Sequence, residues 1–108
     1  MQQLYHLVRP LVFLQDPERA HDRIVSLGRA VQKLNLTGAV NRVFGYKNPA
    51  LETDFAGIHF SNPVGLAAGF DKEGIIFEFI ESLGFGFEEA GSATARAREG
   101  NPKPRLFR

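Results

Sequence analysis

Apolar and polar positions change period several times along this chain, and each change marks an element. Over residues 2–14, Leu4, Leu7, Val8, Leu11 and Leu14 recur at helical spacing, which predicts an amphipathic helix. Pro10 kinks or restarts it, because proline lacks a donor and crowds the preceding turn. A second helix has a defined start: Asp16 is a good N-cap, Pro17 suits the first helical position, and Glu18 suits the positive end of the dipole. Ala20, Ile24, Leu27, Val31 and Leu34 then repeat at steps of four and three, an apolar seam for a neighbouring helix. The link between the two helices is short, so they form a helical hairpin. Val40, Val43 and Phe44 add one more helical turn before Gly45.

After a polar connector at residues 46–50 the period falls to two. Leu51, Thr53 and Phe55 alternate with Glu52 and Asp54, Ala56-Gly57 can turn, and Ile58 and Phe60 flank His59 on the return. This predicts a small β-hairpin with His59 facing solvent. Val64, Leu66, Ala67 and Ala68 form a short apolar run bounded by Gly65 and Gly69, which suits a strand covered on both faces. Residues 74–83 read as a helix with Ile76, Phe79, Ile80 and Leu83 inward, ended by Gly84. Residues 85–90 read as a second parallel strand, joined to the first by a right-handed crossover. That strand holds a discord. Glu88 and Glu89 are adjacent and so face opposite sides, which rules out a carboxylate pair acting together. A buried, unpaired Glu88 costs several kcal/mol, so a cation or solvent access is expected for it.

Composition narrows the class. The 108 residues are 44% hydrophobic and 23% charged with a net charge of +1, a globular balance with no global case for nucleic acid. Arg96, Arg98, Lys103, Arg105 and Arg108 crowd the last stretch, but a nucleic-acid patch wants more charge and stacking aromatics, so a solvated basic loop is the plain expectation. Cysteine is absent and the three histidines lack metal-ligand spacing, so no metal site is expected. No apolar run approaches the roughly 20 residues of a membrane span, and the start lacks a secretory pattern. The first helix is read either as core-facing or as dipping into a bilayer interface; only His6 and Arg9 are basic there.

Chemistry concentrates after the apolar strand. Gly69, Asp71 and Lys72 put a small backbone, an acid and a base at a strand's carboxyl end, where α/β folds bind ligands. The same residues also read as a helix-initiating turn capped by Asp71, with Lys72 solvated. Familiar alternatives fail: Gly69 and Gly74 are followed by Ile75 rather than the lysine of a P-loop, Gly84 and Gly86 lack the third glycine of a dinucleotide fingerprint, and Ser92 and Thr94 have no histidine–acid arrangement.

The stretch Asn62-Pro-Val-Gly-Leu-Ala-Ala-Gly-Phe-Asp-Lys72 resembles the first barrel strand of the class 2, quinone-linked dihydroorotate dehydrogenases. Asp16-Pro-Glu-Arg-Ala-His21, Leu83-Gly-Phe-Gly-Phe87, and Gly91-Ser-Ala-Thr94 running to Gly100-Asn-Pro-Lys-Pro-Arg-Leu-Phe-Arg108 agree with it in order and spacing. The resemblance implies an α/β chain: an N-terminal helical hairpin, then the first part of a flavin-binding (β/α)8 TIM barrel, namely β-hairpin, strand, helix and strand. Residues 1–49 would be the membrane- and quinone-associated domain and residues 50–108 the incomplete start of the barrel. The implied reaction oxidises dihydroorotate to orotate with FMN and a quinone acceptor, in de novo pyrimidine (UMP) synthesis at the cytoplasmic side of the cell membrane, held peripherally through the N-terminal helices. By resemblance Ala68, Gly69, Phe70, Asp71, Lys72 and Ser92 bind FMN, Lys72 also touches substrate, and His21 and Arg108 face quinone. The catalytic base, a serine in the family, is expected beyond Arg108, so the 108 residues alone are expected to be inactive. Departures are Glu88, where the family is apolar, and Ala95 and Ala97, where it has prolines. A different class of reading, a non-enzymatic remnant serving as a membrane-peripheral or interaction module, keeps the same residues; a barrel-length continuation after Arg108 would favour the enzyme and a stop codon the remnant.

Overall fold

The computed structural model describes residues 2–107, the side chains of Gln2 and Leu4 excepted. In chain order it contains α1 (Gln2–Phe13), α2 (Pro17–Lys33), α3 (Thr37–Phe44), a 3-10 turn (Pro49–Leu51), β1 (Thr53–Phe55), β2 (Ile58–Phe60), β3 (Gly65–Leu66), α4 (Phe77–Ser82) and β4 (Phe87–Glu88). β1 and β2 pair antiparallel, with Thr53 opposite Phe60, and β3 and β4 pair parallel, with Leu66 opposite Glu88. The chain therefore carries a helical start, an antiparallel hairpin and one βαβ unit, as expected for the opening of a barrel.

Local chemistry explains the boundaries. Asp16 accepts a hydrogen bond from the Arg19 amide at 3.0 Å, and Pro17 opens α2. Ala56 and Gly57 both take positive φ, 50° and 78°, which is the geometry of a tight hairpin turn. α4 begins three residues later than the apolar pattern suggested. Gly74, at φ 65°, breaks the helical path, and Asp71 caps the turn by accepting from the Ile76 amide at 2.7 Å. The strands are likewise shorter than their apolar runs, and Leu51 belongs to the 3-10 turn instead of β1.

The core is small. Val31, Ile76, Phe79 and Ile80 are buried, with Val25, Val40, Leu66 and Phe70 among the residues packed around them. α2 meets α4 through Gly28: a Cβ there would lie 2.7 Å from the Phe79 ring and 3.0 Å from Ile76. Gln32 completes the joint by donating to the Ile75 carbonyl at 3.1 Å and accepting from the Phe79 amide at 3.2 Å. Asp71 and Gln32 thus satisfy amides at the start of a short helix that has no other cap.

Two expectations change here. The seam Ala20, Ile24, Leu27, Val31 and Leu34 is only in part the packed face of α2: Val31 is buried in the core, but Ile24, Leu27 and Leu34 are exposed. The packed face runs through His21, Val25, Gly28, Val31 and Gln32, turned to one side of the expected seam. The apolar surface of α1 is open as well, with Leu7 at 72% and Leu11 at 64% exposure. The strand expected to be covered on both faces is only half-buried at Leu66, and Val64, Ala67 and Ala68 are exposed.

Candidate functional site

The parallel pair brings two distant loops to one edge. Beyond the paired residues, the Glu89 amide donates to the Leu66 carbonyl at 2.9 Å and the Gly69 amide donates to the Gly91 carbonyl at 3.0 Å. Ala68, Gly69 and Ser92 therefore emerge side by side at the carboxyl ends of β3 and β4, and all three are exposed. Gly69 holds φ 103°, a conformation that side chains resist, and the space a Cβ would fill is open. A planar ligand can approach the backbone there.

His21 reaches this edge from α2. Its Nε2 donates to the Phe70 carbonyl at 2.7 Å, since a carbonyl can only accept, and Nδ1 stands 3.3 Å from an Asp22 carboxylate oxygen. The His21 and Phe70 rings meet edge to face with centroids 4.9 Å apart. The structure thus joins His21 to the Gly69–Phe70 segment, 49 residues away in sequence. Lys72 is exposed, and no ion pair holds it among the described residues. Asp71 is set apart from these neighbours: it is 3% exposed, and one carboxylate oxygen is engaged by the Ile76 amide. Arg108 lies outside the described residues.

Neither outcome expected for Glu88 occurs. Both of its carboxylate oxygens are buried and no donor meets them among the described residues; the Asp71 carboxyl beside Glu88 can only accept from its protonated form. Burial, and then the charge of Asp71, push its pKa above the ordinary glutamate range. The cause is the layer it enters, between β4 and α4, which offers Ile80 and Phe77 but no cation.

Sequence reasoning treated Glu18 only as a dipole partner and, apart from Arg108, the basic tail only as solvated. They meet. Glu18 accepts from Arg105 Nε at 3.0 Å and Nη2 at 2.7 Å, and Lys103 Nζ lies 3.3 Å from its other oxygen. The Arg105 hydrogen bonds hold the Glu18 carboxyl below the ordinary range. Nothing in the local sequence signals a pairing across 87 residues. No metal-binding cluster occurs among the described residues. A cavity of about 570 Å³ lies at the other end of the strands beside Asn41, Tyr46, Asn62 and Glu78. The chemistry-bearing residues do not reach it, and α/β barrels bind ligands at the opposite, carboxyl end.

The chain is similar to known proteins. A protein from Gloeobacter violaceus named dihydroorotate dehydrogenase (quinone) is 51% identical over 106 residues, covering 97% of this chain. Another of that name from Acidithiobacillus ferrooxidans is 47% identical over 105 residues, or 96% of the chain. The chain spans about 30% of the length of these relatives. Among solved structures, that of the Eimeria tenella dihydroorotate dehydrogenase in complex with ferulenol superposes with a TM-score of 0.67 at 39% identity, covering 86% of this chain and 23% of that one. The dihydroorotate dehydrogenase family model matches residues 50–108, which hold β1 to β4, and so the chain belongs to the dihydroorotate dehydrogenase family.

Proposed function

We propose that this chain forms the hairpin and the first two barrel strands of an FMN-dependent, quinone-linked dihydroorotate dehydrogenase of pyrimidine synthesis. The observation that carries this reading is the joint at Phe70: its loop borders the open glycine edge, and its carbonyl is held by His21. Flavin fits the edge because Gly69 leaves room for a ring system and Ser92 offers a hydroxyl beside it. Ala68, Gly69, Phe70, Lys72 and Ser92 would hold it, with Asp71 acting on the loop from beneath. When bound, flavin supplies the hydride acceptor. The chain's own residues bind and orient: the Lys72 ammonium attracts the anionic substrate, and His21 ties the acceptor side to the flavin loop. Arg108 belongs to the same acceptor side on this reading.

The test is a chimera in which this chain replaces the matching 106 residues of the Gloeobacter violaceus relative. The expected product is a yellow protein that reduces a short-chain quinone on addition of dihydroorotate. A folded, flavin-loaded chimera that leaves dihydroorotate untouched would sink the reading and favour a non-enzymatic role.

The same reading places the protein peripherally on the cytoplasmic side of the cell membrane. No helix among the described residues is long and apolar enough to cross a bilayer. Leu7 and Leu11 on α1 and Ile24 and Leu27 on α2 nevertheless remain exposed, an apolar surface that suits a helix pair lying in the interface. Burying a leucine contributes about 1.5–3 kcal/mol, so the Leu7→Glu, Leu11→Glu variant should lower liposome partitioning on the order of 100-fold. Equal flotation of parent and variant would mean that this surface meets protein instead of lipid.

A further inference from the structure

Segment 99–105 has no secondary structure, yet one side chain organises it. Arg105 Nη1 donates to the Glu99 carbonyl at 2.7 Å and the Asn101 carbonyl at 3.2 Å, folding the segment around the guanidinium. Gly100 at φ 78° makes room, since a Cβ there would lie 2.6 Å from that nitrogen. The remaining donors, Nε and Nη2, converge on Glu18 in the first turn of α2. Lys103 adds a second cation to the same carboxylate. Glu18 is only 17% exposed, and paired donors of this kind fix orientation as well as distance.

Three residues along α2 from Glu18, on the same side, stands His21, the residue bonded to Phe70. We propose that Glu18, acting through Arg105 and Lys103, is a positioning residue that holds segment 99–105 as one wall of the acceptor opening beside His21. Glu18 touches neither substrate nor flavin, and its role rests on the functional reading given above. The clamp joins α2 to the loop after β4, two parts of the chain that otherwise share no ion pair among the described residues.

Two readouts test this. In the 108-residue chain itself, Glu18→Ala frees the Arg105 guanidinium and should speed tryptic cleavage after Arg105 roughly tenfold, and unchanged cleavage would overturn the clamp. In the chimera, Glu18→Ala should raise KM for quinone roughly tenfold while the rate of flavin reduction by dihydroorotate stays at the parent value. Glu18→Asp keeps the carboxylate facing Arg105 and Lys103 and should recover most of the quinone KM. Faster cleavage with an unchanged quinone KM would leave Glu18 a structural tie and overturn the positioning role. A chimera without dihydroorotate oxidation would instead refute the functional reading, and with it the acceptor assignment, while the cleavage experiment still decides the clamp.

Discussion

Replacing Glu88 with valine should stabilise the folded chain by about 1–3 kcal/mol at neutral pH, the usual cost of leaving a buried polar group unsatisfied. β4 fixes the direction of the side chain. Phe87 turns toward Phe60, with ring centroids 5.4 Å apart, and its ring fills the place of a Gly65 Cβ. Glu88 must therefore turn the other way, into the layer against Ile80 of α4. No donor meets it there, and the nearby buried acid, Asp71, opposes its ionisation. Valine removes the charge and keeps a strand-forming shape.

The pH dependence comes from the direction of the shift. The folded pKa of Glu88 is raised, so its contribution is fully present below its unfolded value and is lost as pH rises through the raised folded value. The advantage of Glu88→Val should be smallest in acid and widest at neutral pH. Glu18 works in the opposite sense: its folded pKa is lowered by Arg105, so its contribution is present above the unfolded value and lost as pH falls through the folded one. Near neutrality Glu18 is ionised in both the folded and the unfolded chain, so the pH dependence there comes from Glu88. Urea denaturation of parent and variant across about pH 4 to 8 measures the difference. A variant no more stable than the parent at neutral pH would show that Glu88 has a partner in solution.

What could be read from the sequence was mostly local. Asp16 and Pro17 announced the start of α2 because a cap acts on amides within the next turn. The turn at Ala56-Gly57 and the order strand, helix, strand over residues 64–90 were legible for the same reason. The packed face of α2 was not. Helical periodicity shows that apolar residues align, but two adjacent apolar faces satisfy it, and the contact is centred on Gly28, which carries no hydropathic signal. The discord at Glu88 was visible as a charge in an apolar run. Its lack of any partner was not, since that depends on what α4 presents across the layer. The residues at the carboxyl ends of β3 and β4 were legible as a group through their resemblance to a family. The division among them is a tertiary fact: Asp71 turns inward to the Ile76 amide while Lys72 stays in solvent.

That division gives Lys72 the largest expected effect on chemistry. In the chimera, Lys72→Ala should slow flavin reduction or weaken dihydroorotate binding by about 10- to 150-fold, the equivalent of a charge-assisted contact worth about 1.5–3 kcal/mol. Stability should hardly change, because Lys72 is exposed and takes part in no ion pair among the described residues. The loop on which it stands is built to hold still. Gly69 is bonded to Gly91, Phe70 to His21, and Asp71 to Ile76, so three successive residues leading into Lys72 are tied. An ammonium on so constrained a loop loses less freedom on meeting an anion than one on a free loop. Stopped-flow reduction by dihydroorotate separates the two effects, since a binding defect shifts the half-saturating concentration and a chemical defect lowers the limiting rate. Lys72→Arg keeps the charge but changes the donor geometry, and it should recover binding more than rate. If Lys72→Ala reduces its flavin like the parent at every substrate concentration, Lys72 is an ordinary solvated lysine at the start of a turn, and the substrate anion is held elsewhere.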